Sequence, residues 1–250
     1  GLNQSNGFDV IPSFVGNTNN NVPNIAQIIV NASYTNAGVT CQGNIDTFLY
    51  VVNPIPNVLD PTDQVVCAND FTQLIDFTGS VPGTAYNWIN NTVAIGLASA
   101  GTGDIAPFMA LNNTNAPLVA TLIVQAAYTN MNTTCLGNTE QMTITVNPRP
   151  NLEPIIDQVV CHNENVLPVQ FSGSVPGTVY TWTNSETSIG LAAGGVGNIA
   201  GFVGLNPGAS PVVAQVDVLP SYTNAGLTCD GSIETFTITV NPWAYLQNLP

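Results

Sequence analysis

The reactive side chains of this 250-residue chain are few and evenly spaced. There are five cysteines, one histidine, fifteen carboxylates, one arginine and no lysine. Cys41, Cys135 and Cys229 each follow a threonine and stand 94 residues apart; Cys67 and Cys161, each ending a Val-Val-Cys, are also 94 apart. Thiols can bind a metal, act as nucleophiles or join as disulfides. Zinc needs four Cys or His ligands gathered in space, and no second pair of ligands adjoins any of these cysteines. Nucleophilic chemistry needs a base and a group to orient it. The only histidine is His162, and Ala68 stands one period before it, so the repeat does not require an imidazole there. The segments Gly101-Thr102-Gly103 and Gly195-Val196-Gly197 look superficially like phosphate-cradling loops. No helical pattern follows them, so they read as turns. Disulfides remain, and no catalytic or cofactor-binding residue is expected.

The period governs the whole chain. Phe14, Phe108 and Phe202 obey it, as do Tyr34, Tyr128 and Tyr222, and Trp88 and Trp182. SYTNAG occurs at 33–38 and again at 221–226, with AYTNMN between them at 127–132. Ninety-four residues suit one small domain and are too many for a solenoid unit. The expected organisation is the later part of a truncated module at 1–54, complete modules at 55–148 and 149–242, and at 243–250 the start of another module or a docking tail. Trp243, Tyr245 and Leu246 fall in that last segment.

Each module reads as strands. Met142, Ile144 and Val146 alternate with Thr143 and Thr145, and Phe236, Ile238 and Val240 with Thr237 and Thr239. Leu122, Val124, Ala126 and Tyr128 share one face of the preceding segment. Period-two alternation with β-branched outward residues marks strands buried on one face. The Asn-, Thr- and Gly-rich YTN…TC segment between them reads as a hairpin turn. LIDFTGS at 74–80 and TAYNWIN at 84–90 supply further strands, and Pro and Gly recur too often for a long helix. Some seven short strands per module predict an all-β fold: tandem immunoglobulin-like antiparallel β-sandwiches.

DQVVC, SVPGTxYxWxN, IGLAA, YTN, TCxG and TFTITVNP together resemble the PKD-like, immunoglobulin-like repeats of very large Bacteroidota surface proteins. The gliding-motility adhesins secreted by the type IX system carry such repeats. The resemblance covers essentially the whole chain and implies a β-sandwich and a surface location.

Two regular cysteine pairings are open: within a module, Cys67–Cys135 and Cys161–Cys229, or across a junction, Cys41–Cys67 and Cys135–Cys161. If the first strand begins at the end where the last hairpin turns, the intramodule pairs are neighbours and the junction pairs lie too far apart for a bond. The intramodule pairing is therefore expected, worth roughly 4 kcal/mol per module in the chain-entropy model. Cys41 is left unpaired, with its partner expected in the absent first half of its module, near position −27. Trp88 and Trp182 are expected in the core, with carbohydrate stacking as the alternative, and Tyr34, Tyr128 and Tyr222 are expected there too. Asp63 and Asp157, beside the junctions, are weak candidates for calcium, which needs six to eight oxygens; otherwise no cofactor is expected. Sequons occur at Asn31, Asn90, Asn112 and Asn132.

A net charge of −14 excludes nucleic acid, whose binding requires cations, and disfavours anionic membrane surfaces. No run is long and apolar enough to span a bilayer, and no stretch of these residues is expected to be a signal peptide. Disulfides imply an oxidising, extracellular setting. The expected function is a non-enzymatic array forming a stalk or filament of a bacterial surface adhesin, with neighbouring modules or other copies as partners. Two alternatives stand beside it: a fibre subunit assembled by strand complementation, and a module binding a surface glycan or protein. A start in mid-module reads as an excerpt of a longer chain.

Overall fold

The computed structural model describes residues 7–244. Its first element is a hairpin of β1 (Asn24–Asn36) and β2 (Val39–Val52). Val30, Phe48 and Tyr50 stand one period before the buried Val124, Met142 and Ile144, yet all three are exposed. Among the described residues, its aromatic contacts are those of Tyr50, met edge-on by Phe48 and by Phe14 from the preceding segment.

The second repeat contributes β3 (Gln64–Cys67), β4 (Ala85–Asn90), β5 (Ala100–Thr102), β6 (Leu118–Asn130) and β7 (Thr133–Asn147). They form one sheet in the order β3-β7-β6-β4-β5. Every pairing is antiparallel except β3 with β7, which run parallel with Cys67 opposite Asn147. The alternating residues settle the buried face: Ala120, Leu122, Val124, Ala126, Met142, Ile144 and Val146 are all essentially inaccessible.

A second layer covers that face, built from segments too irregular to be long strands. Ile75 bridges Ile105 and Phe71 bridges Met109. LIDFTGS is thus held by a single bridge and is not a strand as expected. Phe77, Ile95, Leu97 and Ile105 from this layer close the core. The two layers make an immunoglobulin-like sandwich.

The third repeat restates this with β8 (Gln158–Cys161), β9 (Asn165–Val166), β10 (Val179–Asn184), β11 (Gly194–Val196), β12 (Phe202–Val203), β13 (Val212–Asn224), β14 (Leu227–Asp230) and β15 (Glu234–Asn241). Its main sheet runs β11-β10-β13-β15-β8, with β14 on β13 and β9–β12 in the second layer. β8 again lies parallel to β15. Two short 3₁₀ turns, Val93–Ile95 and Thr187–Ile189, are the helical elements among the described residues. No helix there is long and apolar enough to cross a membrane.

Candidate functional site: the junctions between repeats

The cysteines depart from expectation. Cys67 is bonded to Cys229, with Cα atoms 5.6 Å apart, while Cys41, Cys135 and Cys161 are free thiols. Neither regular pairing occurs, so Cys67–Cys135 and Cys161–Cys229 are both corrected. The reason is strand direction. β3 runs parallel to β7, so Cys67 sits level with Asn147 at the end of β7. Cys135 lies near the start of β7, opposite Tyr128. Twelve residues of strand separate the two levels, about 40 Å at the usual rise. The partner that reaches Cys67 is the hairpin of the next repeat.

The bond spans 162 residues, one period more than the pairing expected. By the same spacing, position −27 would pair with Cys135 and not with Cys41. Cys135 lines an open groove of about 430 Å³ with Val52, Asn53, Asn130 and Met131, at the junction of the first and second repeats.

Polar contacts repeat at both junctions with the same 94-residue offset. At the first, the Asn130 side-chain amide donates to Asn53 Oδ1 at 2.8 Å, and Asn53 Nδ2 donates to the Asn130 carbonyl oxygen at 3.3 Å. At the second, Asn224 Nδ2 donates to Asn147 Oδ1 at 2.8 Å, and Asn147 Nδ2 donates to the Asn224 carbonyl at 3.0 Å. Asn147 is fully buried, so its amide must be satisfied; the neighbouring repeat's hairpin does this.

Arg149 adds a clamp at the second junction. Its Nε donates to the Ala68 carbonyl at 2.8 Å, Nη1 to the Asp230 carbonyl at 2.7 Å, and Nη2 to Asp70 Oδ1 at 2.7 Å. It is half-exposed, so the ion pair itself is weak, but one side chain ties together both repeats beside the disulfide. Arg149→Ala should loosen the junction by about 1 kcal/mol, the usual net worth of such bonds. Reduction of Cys67–Cys229 by a small thiol should then run roughly fivefold faster; an unchanged rate would show that the clamp does not guard the bond.

The hairpin tips owe their shape to local sequence. Ala225 and Gly226 both take positive φ, as do Ala37 and Gly38 and also Met131 and Asn132. Two such residues in succession make the tight turn whose twist matches the strands. Behind each tip a threonine pair faces across the hairpin: Thr35–Thr40, Thr129–Thr134 and Thr223–Thr228, with hydroxyls 2.8–2.9 Å apart.

The other singled-out residues have structural places. Trp88 and Trp182 are buried, which removes them from carbohydrate stacking. Each indole Nε1 donates to a glycine carbonyl, Gly103 or Gly197, at 3.1 Å. A Cβ at Gly101 or Gly195 would overlap the ring. The Gly-x-Gly segments are thus tryptophan seats. Tyr128 and Tyr222 are only partly buried and Tyr34 is 71% exposed; all three stand near the hairpin tip, opposite Cys135, Cys229 and Cys41. Asp63 Oδ1 accepts from the Thr143 amide at 2.6 Å and Asp157 Oδ1 from the Thr237 amide at 2.7 Å. Each carboxylate pins its repeat's last strand instead of facing a cation. Among the described residues no three His, Cys, Asp or Glu side chains gather as metal ligands would.

His162 Nδ1 accepts from the Asn206 amide at 2.8 Å, with Trp243 against its ring. Tyr245 and Leu246 lie outside the described residues. The sequon residues Asn90 and Asn112 are buried and hydrogen-bonded through their side-chain amides, so they offer no glycan acceptor; Asn31 and Asn132 are exposed.

The perturbed acids do not gather either. Burial, then the charges of Asp104 and Asp76, raises the Tyr86 hydroxyl. Burial likewise raises Tyr180. Hydrogen bonds from Ser188 lower Glu186, and those from Gln215 and Thr235 lower Asp217.

No family model matches the sequence, and no curated protein does. Among solved structures, the tandem Ig repeats of Dlar are similar over 76% of this chain and 99% of theirs, at 12% identity and a TM-score of 0.25. Human mucin-like protocadherin EC1-2 is similar over 75% of this chain and 98% of its own, at 13% identity and a TM-score of 0.32. Sidekick-1 immunoglobulin domains 1–4 are similar over 88% of this chain and 68% of theirs, at 12% identity and a TM-score of 0.39. Likenesses this loose say nothing of how the chain works.

Proposed function

We propose that the chain is a non-enzymatic extracellular spacer, with modules at 55–148 and 149–242 forming part of the stalk or filament of a bacterial cell-surface adhesin. The observation that carries this reading is the second junction. A disulfide, a reciprocal asparagine pair and an arginine clamp all join one repeat to the next. Each repeat is stabilised by its own core, so these contacts serve to fix orientation between repeats. A protein whose task lay in one binding cleft would gain little from them; a rod gains stiffness.

The disulfide supports an oxidising location. The repeat's resemblance to Bacteroidota surface proteins supports the adhesin setting. A near absence of lysine and arginine gives trypsin-like proteases almost nothing to cut, which suits an exposed surface.

Antibodies raised to the repeats should label intact, unpermeabilised cells, and proteinase treatment of those cells should remove the label. Labelling only after permeabilisation would overturn the reading.

A further inference from the structure

We propose that Asn132, at the tip of the β6–β7 hairpin, is the acceptor of an asparagine-linked glycan. This goes beyond the spacer reading and adds a covalent modification at one named atom, Asn132 Nδ2.

Transfer of a sugar to asparagine asks three things of the acceptor. It needs a hydroxyl two residues on, a side-chain amide not already committed, and open space for a bulky group. Among the described residues, four asparagines meet the first condition. Asn90 and Asn112 fail the other two. Both are buried, and each amide holds carbonyls of its own repeat: Leu97 and Ala98 for Asn90, Ala116 and Val146 for Asn112. Asn31 lies within β1 and gives its amide to Gln42 Oε1 at 3.1 Å. One period later its place is taken by the half-buried Gln125.

Asn132 meets all three conditions. Thr133 and Thr134 follow it, and all three residues are exposed. The nearby Asn130 amide is committed to Asn53; that of Asn132 has no partner among the described residues. Asn132 takes a φ of 61°, which asparagine adopts more readily than other residues with a side chain. Met131 and Thr133 line the groove beside Asn53 and Cys135, and Asn132 between them does not.

The open space does not depend on what adjoins the first repeat. The β13–β14 hairpin has the same kind of tip, and Cys229 fastens it to the second repeat. There Gly226 stands one period after Asn132. A Cβ at Gly226 would meet nothing within 4 Å. A side chain at this position therefore faces solvent even where the hairpin is docked and bonded. Of the three hairpin tips, Ala37-Gly38 and Ala225-Gly226 lack the amide, so the second repeat alone carries the acceptor.

The donor is a sugar pyrophosphate. Asn132 Nδ2 attacks the anomeric carbon, and a C–N bond forms as the C–O bond to the pyrophosphate breaks. The pyrophosphate leaves with that electron pair, and one Nδ2 proton passes to a base of the transferase. The step is redox-neutral and needs no other co-reactant. The glycan then stands beside Met131, an apolar side chain 69% exposed.

The test is peptide mapping of the chain isolated from the cells that make it. Chymotryptic peptides holding residues 132–134 should carry added hexose or hexosamine mass, and fragmentation should place it on Asn132. Peptides holding Asn90 and Asn112 should be bare. Asn132→Gly, which gives the tip the glycine found in the third repeat, should abolish the added mass and leave the melting temperature of the deglycosylated protein unchanged. Thr134→Ala should also abolish it, and Thr134→Ser should keep it. A bare Asn132 in the unaltered chain, or sugar surviving Asn132→Gly on a neighbouring threonine, would overturn the proposal. Surface labelling of cells reads the spacer proposal separately, so either can fail without the other.

Discussion

Stretched from its ends, the oxidised chain should release about 550 Å less contour length than the reduced chain. The disulfide ties Cys67 to Cys229, so residues 68–228 lie outside the load path however many hydrogen bonds break. At roughly 3.4 Å per extended residue, that hidden segment accounts for the difference. Between Asn53 and Asn241, only residues 54–66 and 230–241 remain extensible, about 85 Å at full stretch. Single-molecule extension with and without a reductant measures this directly. With the bond intact, neither sandwich should appear as an unfolding step of full length. Once it is reduced, two steps of about 320 Å each should appear, one per 94-residue repeat. Identical traces in both conditions would mean that the junction bond does not form in solution.

Trp88→Ala should be the most damaging single substitution in the second repeat, and Trp182→Ala its counterpart in the third. Each residue is buried at 7–8% exposure, its ring packed against a glycine and hydrogen-bonded through Nε1. Removing such a side chain costs about 3–5 kcal/mol, through lost burial and the cavity left behind. A small domain has about 5–15 kcal/mol in all, so the altered repeat should melt about 15–30 °C lower. In reduced protein the melting curve should split, because the unaltered repeat keeps its own core. Gly101→Val should imitate Trp88→Ala, since its side chain would fall inside the indole. A shift of only a degree or two would show that the tryptophan seat is not the keystone of the sandwich.

Faces were legible in the sequence, and ends were not. Alternation located the buried sides of β6, β7, β13 and β15, because a period of two is a local property of a strand. Trp88 and Trp182 were placed in the core for the same reason. Strand direction leaves no such local trace. Whether Cys67 lies at the top or the bottom of its sandwich depends on β3 running parallel to β7, a non-local pairing, and the disulfide assignment turned on that point. The tyrosines misled in a related way. Tyr128 stands in the alternating register by sequence, but the β6–β7 pairing shifts register between Gln125 and Ala127; Ala126 and Ala127 are both buried there, and the ring beyond them is only partly covered. The 74–80 segment has the apolar residues of a strand, yet Ile75 alone makes a bridge. Beyond it the facing residues 100–102 pair with β4 as β5, and the Phe77 amide goes to the Asp104 side chain, so the segment is left extended without a ladder. Asp63 and Asp157 sit where carboxylates could face a cation, and only the structure shows them turned onto backbone amides.

The bond between Cys67 and Cys229 also bears on damage. A backbone cut anywhere from residue 68 to residue 228, including either sandwich and the linker between them, leaves both fragments covalently attached through the sulfurs. Such a nicked chain would still run as one piece until reduced, and each end would stay fastened to its neighbour. The segment carrying the second junction is thus the part of the chain that can be severed without parting.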